Sequence, residues 1–174
     1  MVCQSFSPVS RITKHGSYSQ SRTSANADET AENIVAEYTK REGVTIEHVE
    51  GNQAYYQPTM DRIVLPMMKQ FAETTEYYGT CFHEMIHSTG HIKRLNRLDA
   101  TAHFGGEDYS KEELVAEIGS SALVHHCGLE TQKSFRNSTA YIQSWLSALK
   151  NDKRFIVSAT SRAEKAVKYV LEGL

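Results

Sequence analysis

The chain has 174 residues, 40% of them hydrophobic and 23% charged, with a formal net charge of −2. That length and balance describe one soluble globular domain and leave no room for a second catalytic one. The slight negative charge argues against a protein that grips nucleic acid through overall positive charge, and no apolar run approaches the length of a membrane span.

Residues 1–27 differ in character from the rest of the chain, with seven serines, the basic residues Arg11, Lys14 and Arg22, and no acid before Asp28. A stretch with so little to bury is expected to be a flexible N-terminal tail or the remnant of a longer polyprotein. It lacks the clear amphipathic helix of a transit peptide, and no signal peptide is apparent. The folded domain is therefore expected over residues 28–174. Cys3, Cys81 and Cys127 are odd in number and spaced for neither a disulfide framework nor a CxxC site, which points to a reducing, cytoplasmic compartment. Cys81 and Cys127 read as core filler rather than nucleophiles.

A helix is expected over 29–40, then extended segments over 45–49, 53–57 and 61–65, with Pro58 to Met60 turning the last two. Helices are expected over 75–90, 111–127, 138–149 and 153–171, with an irregular link around 104–108. This is an α+β pattern, a small mixed sheet against several helices. The strand over 61–65 is expected to lie beside the 75–90 helix and to present an edge on which an extended peptide can pair.

The 75–90 helix carries His83-Glu84-Met85-Ile86-His87, an HExxH stretch. Residues four apart stack one turn above another on a helix, so His83 and His87 can grip a single ion. Glu84 lies about 100° round from His83, where its carboxylate can reach a water on the metal without binding the metal. It is the candidate general base. Tyr78, Cys81, Phe82, Met85, Ile86 and Thr89 cluster on the opposite side and would anchor the helix in a core.

A catalytic zinc site of this kind needs a third protein ligand. The next helix offers Glu113 and Glu117 on one face, with Leu114, Val115, Ala116, Ile118, Ala122 and Leu123 covering its core side. We assign Glu113 as the ligand and Glu117 as the acid that orients one of the metal-bound histidines. The alternative is a capping box of Ser110 and Glu113, in which case Glu117 becomes the ligand. His91, about 80° off the ligand face and just past Gly90, reads as structural, and His125 and His126 as pointing away from the metal. Lys93, Arg94 and Arg97 could touch phosphate, but read more simply as solvated cations that complement a helix end.

Beyond HExxH, the chain carries Ala54-Tyr55-Tyr56, Asp61 to Pro66, Tyr77-Tyr78 leading into HEMIHSTGH, and the run Arg94 to Arg97. Phe104-Gly105, Tyr109, EELVAEIGS, Ala140-Tyr141-Ile142, Trp145-Leu146 and Ala163 with Lys165 and Ala166 come next in order. In these motifs, over roughly 53–172, the chain resembles the zincin-like metallopeptidase domain of ArdC-type antirestriction proteins and of polyvalent proteins carried by phages and conjugative plasmids. The resemblance implies a zincin fold, a glutamate third ligand, peptidase activity on a peptide or protein substrate, and a setting in which incoming DNA is protected against restriction. Two departures stand out. Ser88 occupies a position where relatives often carry Trp. The stretch ahead of residue 53 is too short for the single-stranded DNA-binding domain of ArdC-type proteins, and DNA association is not evident from the charge.

The expected chemistry is metal-assisted hydrolysis, with Zn2+ lowering the pKa of a water toward roughly 7 and Glu84 carrying the proton to the leaving amine. Tyr109, one turn before Glu113, is the candidate donor to the oxyanion, or else simply packs in the loop. Alternatives are a DNA-protecting binding protein with a mainly structural metal, and a hydrolase whose substrate is not a peptide. The sequence leaves the oligomeric state open.

Overall fold

A computed structural model describes residues 4–5, 22–98, 107–148 and 153–174. Helix α1 (Arg22–Glu42) buries Ala27, Ala31, Ile34 and Tyr38, a stripe with helical spacing, and ends at Gly43 in the left-handed region, where glycine turns the chain toward the sheet. It starts at Arg22 rather than 29, so the helix takes in the end of the serine-rich stretch. Strand β1 (Gln4–Ser5) precedes it, while 1–3 and 6–21 lie outside the described residues.

Strands β2 (Thr45–Val49), β3 (Gln53–Gln57) and β4 (Arg62–Pro66) fall within a residue of their expected bounds. The sheet order is β1-β3-β4-β2, with β3 antiparallel to β4 and β2 parallel to it, Ile46 opposite Ile63. The expectation that the 61–65 strand offers a free edge is thereby corrected: β4 is interior, paired on both sides. Its sequence carries the reason. Ile63, Val64 and Leu65 form a continuous apolar run and are all buried, as in a strand covered on both faces, whereas β2 exposes Thr45, Glu47 and His48 as a sheet border does. Two-residue β1 covers only Gln53 and Ala54 of β3, so among the described residues Tyr55 to Gln57 have no strand on their outer side.

Helix α2 (Thr74–Thr89) packs against β3 and β4 on one side and α3 (Glu107–His126) on the other. It is buried nearly all round, from Tyr77 to Thr89 with only Gly79 partly open. Its close approach to α3 depends on Gly119, where an added Cβ would stand 2.9 Å from the Ile86 side chain. α3 begins at Glu107 rather than 111, so Ser110 sits inside the helix and cannot act as its N-cap. Of the expected link, 107–108 are helical and 104–106 lie outside the described residues. Helix α4 (Gln132–Ala148) begins six residues early, and α5 (Lys153–Val170) lays the small side chains Ala159, Ala163 and Ala166 into the core, packed on α3. No helix among the described residues is long and apolar enough to cross a membrane.

One polar network ties the sheet to the end of α2. The Tyr56 hydroxyl donates to Asp61 Oδ1 at 2.6 Å, and Arg94 donates to both Asp61 oxygens, to the Tyr56 hydroxyl at 3.0 Å and to the Ser88 carbonyl at 2.7 Å. Ser88 is itself fully buried and holds the Tyr38 hydroxyl of α1 at 2.7 Å, so this departure from relatives lies at a helix interface. The Arg94 side chain is only 2% exposed, which corrects the reading of a solvated cation: its partners Asp61 and Tyr56 lie 33 and 38 residues away along the chain. Replacing Arg94 with Met is expected to lower unfolding stability by about 3–5 kcal/mol in urea titrations, because Asp61 keeps a partly buried charge without its partner.

Candidate metal centre

The two histidines of HExxH present their Nε2 atoms to the same point, 3.1 Å apart. Glu113 reaches that point from α3, with Oε2 3.4 Å from His83 Nε2 and Oε1 3.5 Å from His87 Nε2. One donor atom from each of the three residues lies within 4.8 Å of the others, and all three are buried. Two imidazoles and a carboxylate converging in a buried site have the donor chemistry of a transition-metal centre.

The far side of each ring is also held. His83 Nδ1 faces Glu117 Oε2 at 3.5 Å, and His87 Nδ1 faces Glu112 Oε1 at 3.3 Å. Glu112 is in turn gripped by Arg97, whose Nε and Nη2 each lie 2.8 Å from one of its oxygens. Arg97 also donates to the Ile86 carbonyl and to Thr89 Oγ1, closing the open end of α2. Carboxylates behind metal-binding histidines fix the tautomer and raise the basicity of the ring. Sequence reasoning misses Glu112 and Arg97 as site residues. Glu112 adjoins Glu113 and could have been weighed as the partner of the second histidine, whereas nothing local marks Arg97.

Burial alone would lower the histidine pKa values and raise those of the acids, but the pairing overrides it. His83 is held well above the ordinary histidine value by Glu113 and Glu117 despite desolvation, and His87 is raised to about 9 by Glu112 and Glu113. Glu113 shifts well below the carboxylate range, since the two imidazoles outweigh its burial. Glu84 behaves differently. Burial raises its carboxyl above the usual value, the backbone N–H of Tyr56 in β3 is directed at it, and its buried Oε2 has no hydrogen-bond partner among the described residues. A carboxylate with an open lone pair beside a cluster of metal-ligating groups is what a proton acceptor for a bound water requires.

With these distances in place, a family model described as a zincin-like metallopeptidase matches residues 29–162. The chain belongs to the zincin-like metallopeptidase family. Among known proteins, a DNA primase TraC of Escherichia coli is 41% identical over 146 residues, 84% of this chain but 10% of the relative. Another protein of that name from Escherichia coli is 42% identical over 146 residues and covered to 13%. An uncharacterised protein of Sinorhizobium fredii, y4eC, is 35% identical over 123 residues, 71% of this chain and 39% of its own. The Mn(II)-bound crystal structure of antirestriction ArdC from plasmid R388 superposes with a TM-score of 0.65 at 38% identity, over 80% of this chain and 51% of that one. Its metal-free structure gives 0.61 at 37% identity. This zincin-like domain thus spans about half of ArdC and a small part of the primases.

The remaining sequence candidates fall outside the ligand cluster. Tyr109 is buried with its ring edge-on to Trp145 of α4 at 5.9 Å. His91 lies past the helix end, where its Nδ1 accepts the Lys93 backbone N–H, and His125 and His126 are exposed. Cys81 and Cys127 are buried free thiols, pushed up by burial to about 12 and about 11. Beside His83 and Glu117 a cavity of about 500 Å³ opens between α2, α3 and α4.

Glu112→Gln is expected to weaken metal affinity by about 10- to 100-fold with little change in fold, measured by competition with a chelating dye and by circular dichroism. Metal must also displace protons from imidazoles that hold them to higher pH than a free histidine. Affinity therefore rises between neutral pH and about 9, with proton release measurable by calorimetry in buffers of different ionisation enthalpy. The metal-free fold shows the opposite trend: raised histidine pKa values stabilise it fully below 6.5, and that contribution is lost as pH climbs through about 9.

Proposed function

We propose that this zincin-like domain is a zinc-dependent metallopeptidase that hydrolyses peptide bonds, with His83, His87 and Glu113 as ligands and Glu84 as general base. The observation that carries the reading is Glu84: a buried carboxylate whose Oε2 has no hydrogen-bond partner among the described residues, one residue from His83 and close to the buried cluster. Zinc, the metal best suited to two imidazoles and one carboxylate, would supply an electrophile for the scissile carbonyl and a lowered pKa for water, roughly 7.

The chain's own residues do the rest. Glu84 takes a proton from the attacking water and delivers it to the leaving amine, helped by a pKa raised through burial. Glu117 and Glu112 hold the two imidazoles by their Nδ1 atoms and keep both Nε2 atoms facing inward. The hydroxyl of Tyr109, on the turn before Glu113, is our choice for the oxyanion donor, and its contact with Trp145 fixes the ring. Strand β3 replaces β4 as the edge for an extended substrate: it directs the Tyr56 amide at Glu84, and among the described residues no strand pairs with Tyr55 to Gln57 on the outer side.

The setting we favour is antirestriction or host takeover by a mobile element, since the matched solved relative is an antirestriction protein of a plasmid. That relative also supports a second reading, a DNA-protecting binding protein with a mainly structural metal. Glu84→Gln separates the two. A peptidase loses about 10²- to 10⁴-fold in rate on peptide libraries while its metal content and melting temperature stay unchanged. A DNA-protecting protein keeps its activity in that variant, and its affinity for DNA falls steeply with salt.

A further inference from the structure

Glu84 stands one residue from a ligand, yet its direction is set from outside its own helix. The backbone N–H of Tyr56 in β3 is directed at it, while its Oε2 has no hydrogen-bond partner among the described residues. The place of that open oxygen therefore depends on where Tyr56 holds its amide. β4 pairs with this stretch on one side, Tyr56 opposite Ile63, and among the described residues no strand pairs with Tyr55 to Gln57 on the other. The Tyr56 side chain supplies a further anchor. It is fully buried, and its hydroxyl lies between Asp61 and Arg94, at 2.6 and 3.0 Å.

Both partners are suited to holding that hydroxyl. Asp61 takes a left-handed backbone, φ +49°, in the turn from β3 to β4. The turn alone would be served as well by glycine or asparagine, whereas aspartate also brings the charge that Arg94 binds. Arg94, with 2% of its side chain exposed, spreads one planar guanidinium over helix, turn and strand. Its Nε meets the Ser88 carbonyl at 2.7 Å, its Nη1 meets Asp61 Oδ2 at 3.1 Å, and its Nη2 meets Asp61 Oδ1 and the Tyr56 hydroxyl. Ser88 follows His87 in the chain. The fork thus spans from the ligand-bearing turn of α2 to the strand whose amide is directed at Glu84, and its rigid geometry fixes that span as a flexible lysine does not.

We propose that Tyr56, Asp61 and Arg94 are positioning residues: they fix the strand amide that aims Glu84 at the metal-ligating cluster, and they couple that aim to the turn carrying His87. The catalytic consequence rests on the metallopeptidase reading, whereas the coupling itself is read by nuclear magnetic resonance without turnover. The zinc-loaded full chain is compared with Tyr56→Phe, which removes only the hydroxyl, and with Arg94→Lys, which keeps the charge and removes the fork. Arg62→Met is the control, because it breaks the Glu47 ion pair and the Gln57 hydrogen bond on the same sheet, away from the Tyr56 hydroxyl.

In the otherwise unchanged chain, Glu84→Gln is expected to move the Tyr56 amide proton upfield, because a charged acceptor gives way to a neutral one. In the Tyr56→Phe and Arg94→Lys backgrounds that response shrinks, and exchange protection of the residue 56 amide falls about tenfold relative to the amides of interior β4, the worth of one hydrogen bond. Arg62→Met leaves both as they are. On a cleaved peptide, kcat falls about 10- to 100-fold while KM stays within about twofold, at a temperature where melting curves and metal content show folded, loaded protein. An undiminished Glu84→Gln response in both backgrounds overturns the proposal. So does protection lost equally throughout β3 and β4, the mark of a structural role only, or an unchanged kcat in variants whose residue 56 amide is released. If Arg94→Lys does not fold, Tyr56→Phe decides alone. Coupling seen in the spectra of a protein that cleaves no peptide sinks the metallopeptidase reading and leaves the positioning standing.

Discussion

The structure turns on how closely α2 and α3 approach. Both histidines come from one helix and the third ligand from the other, so a donor set exists only if the two backbones nearly touch. Gly119 permits that contact by giving the Ile86 side chain the space a Cβ would fill. The apolar flank formed by Ile86, Leu114, Val115 and Leu123 then excludes water on one side of the seam, while the charged groups fill the other.

Placing so many ionisable groups in a core is costly unless each is paired. Here the pairing runs in sequence from Arg97 to Glu112, from Glu112 to His87, from both histidines to Glu113, and from His83 to Glu117. Each carboxylate in the chain neutralises a nitrogen, which is why Glu113 shifts downward and the histidines upward even though burial pushes all three the other way. Glu84 alone departs from that scheme, and the departure is what gives it basic character at an accessible pH.

Much of this is readable from local pattern. HExxH spacing, the Glu113 and Glu117 pair four apart, and three strand segments all rest on periodicity within a single element, and the folded positions agree closely. What escapes local pattern depends on partners far along the chain. Arg94 and Arg97 look like solvent-facing cations after a helix, and only the fold reveals Asp61 and Glu112 opposite them. The interior place of β4 is legible in principle, because Ile63-Val64-Leu65 lacks the alternation of a border strand, and that composition outweighs the strand's closeness to the metal helix. The expected starts of α1, α3 and α4 fall too late, since serine, asparagine and tyrosine dilute the apolar stripe there and tertiary contacts carry the extra turns.

All three residues of the candidate ligand cluster belong to helices, while the amide directed at Glu84 belongs to β3, whose Tyr55 to Gln57 have no paired strand on the outer side among the described residues. The two parts are joined through Tyr56, Asp61 and Arg94. Such a division lets lineages drift independently in each half. A descendant that alters β3 while keeping α2 and α3 keeps the cluster of His83, His87 and Glu113 but loses the amide directed at Glu84. A module built this way is well suited to being spliced into long proteins of different purpose, as its occurrence within much longer relatives illustrates.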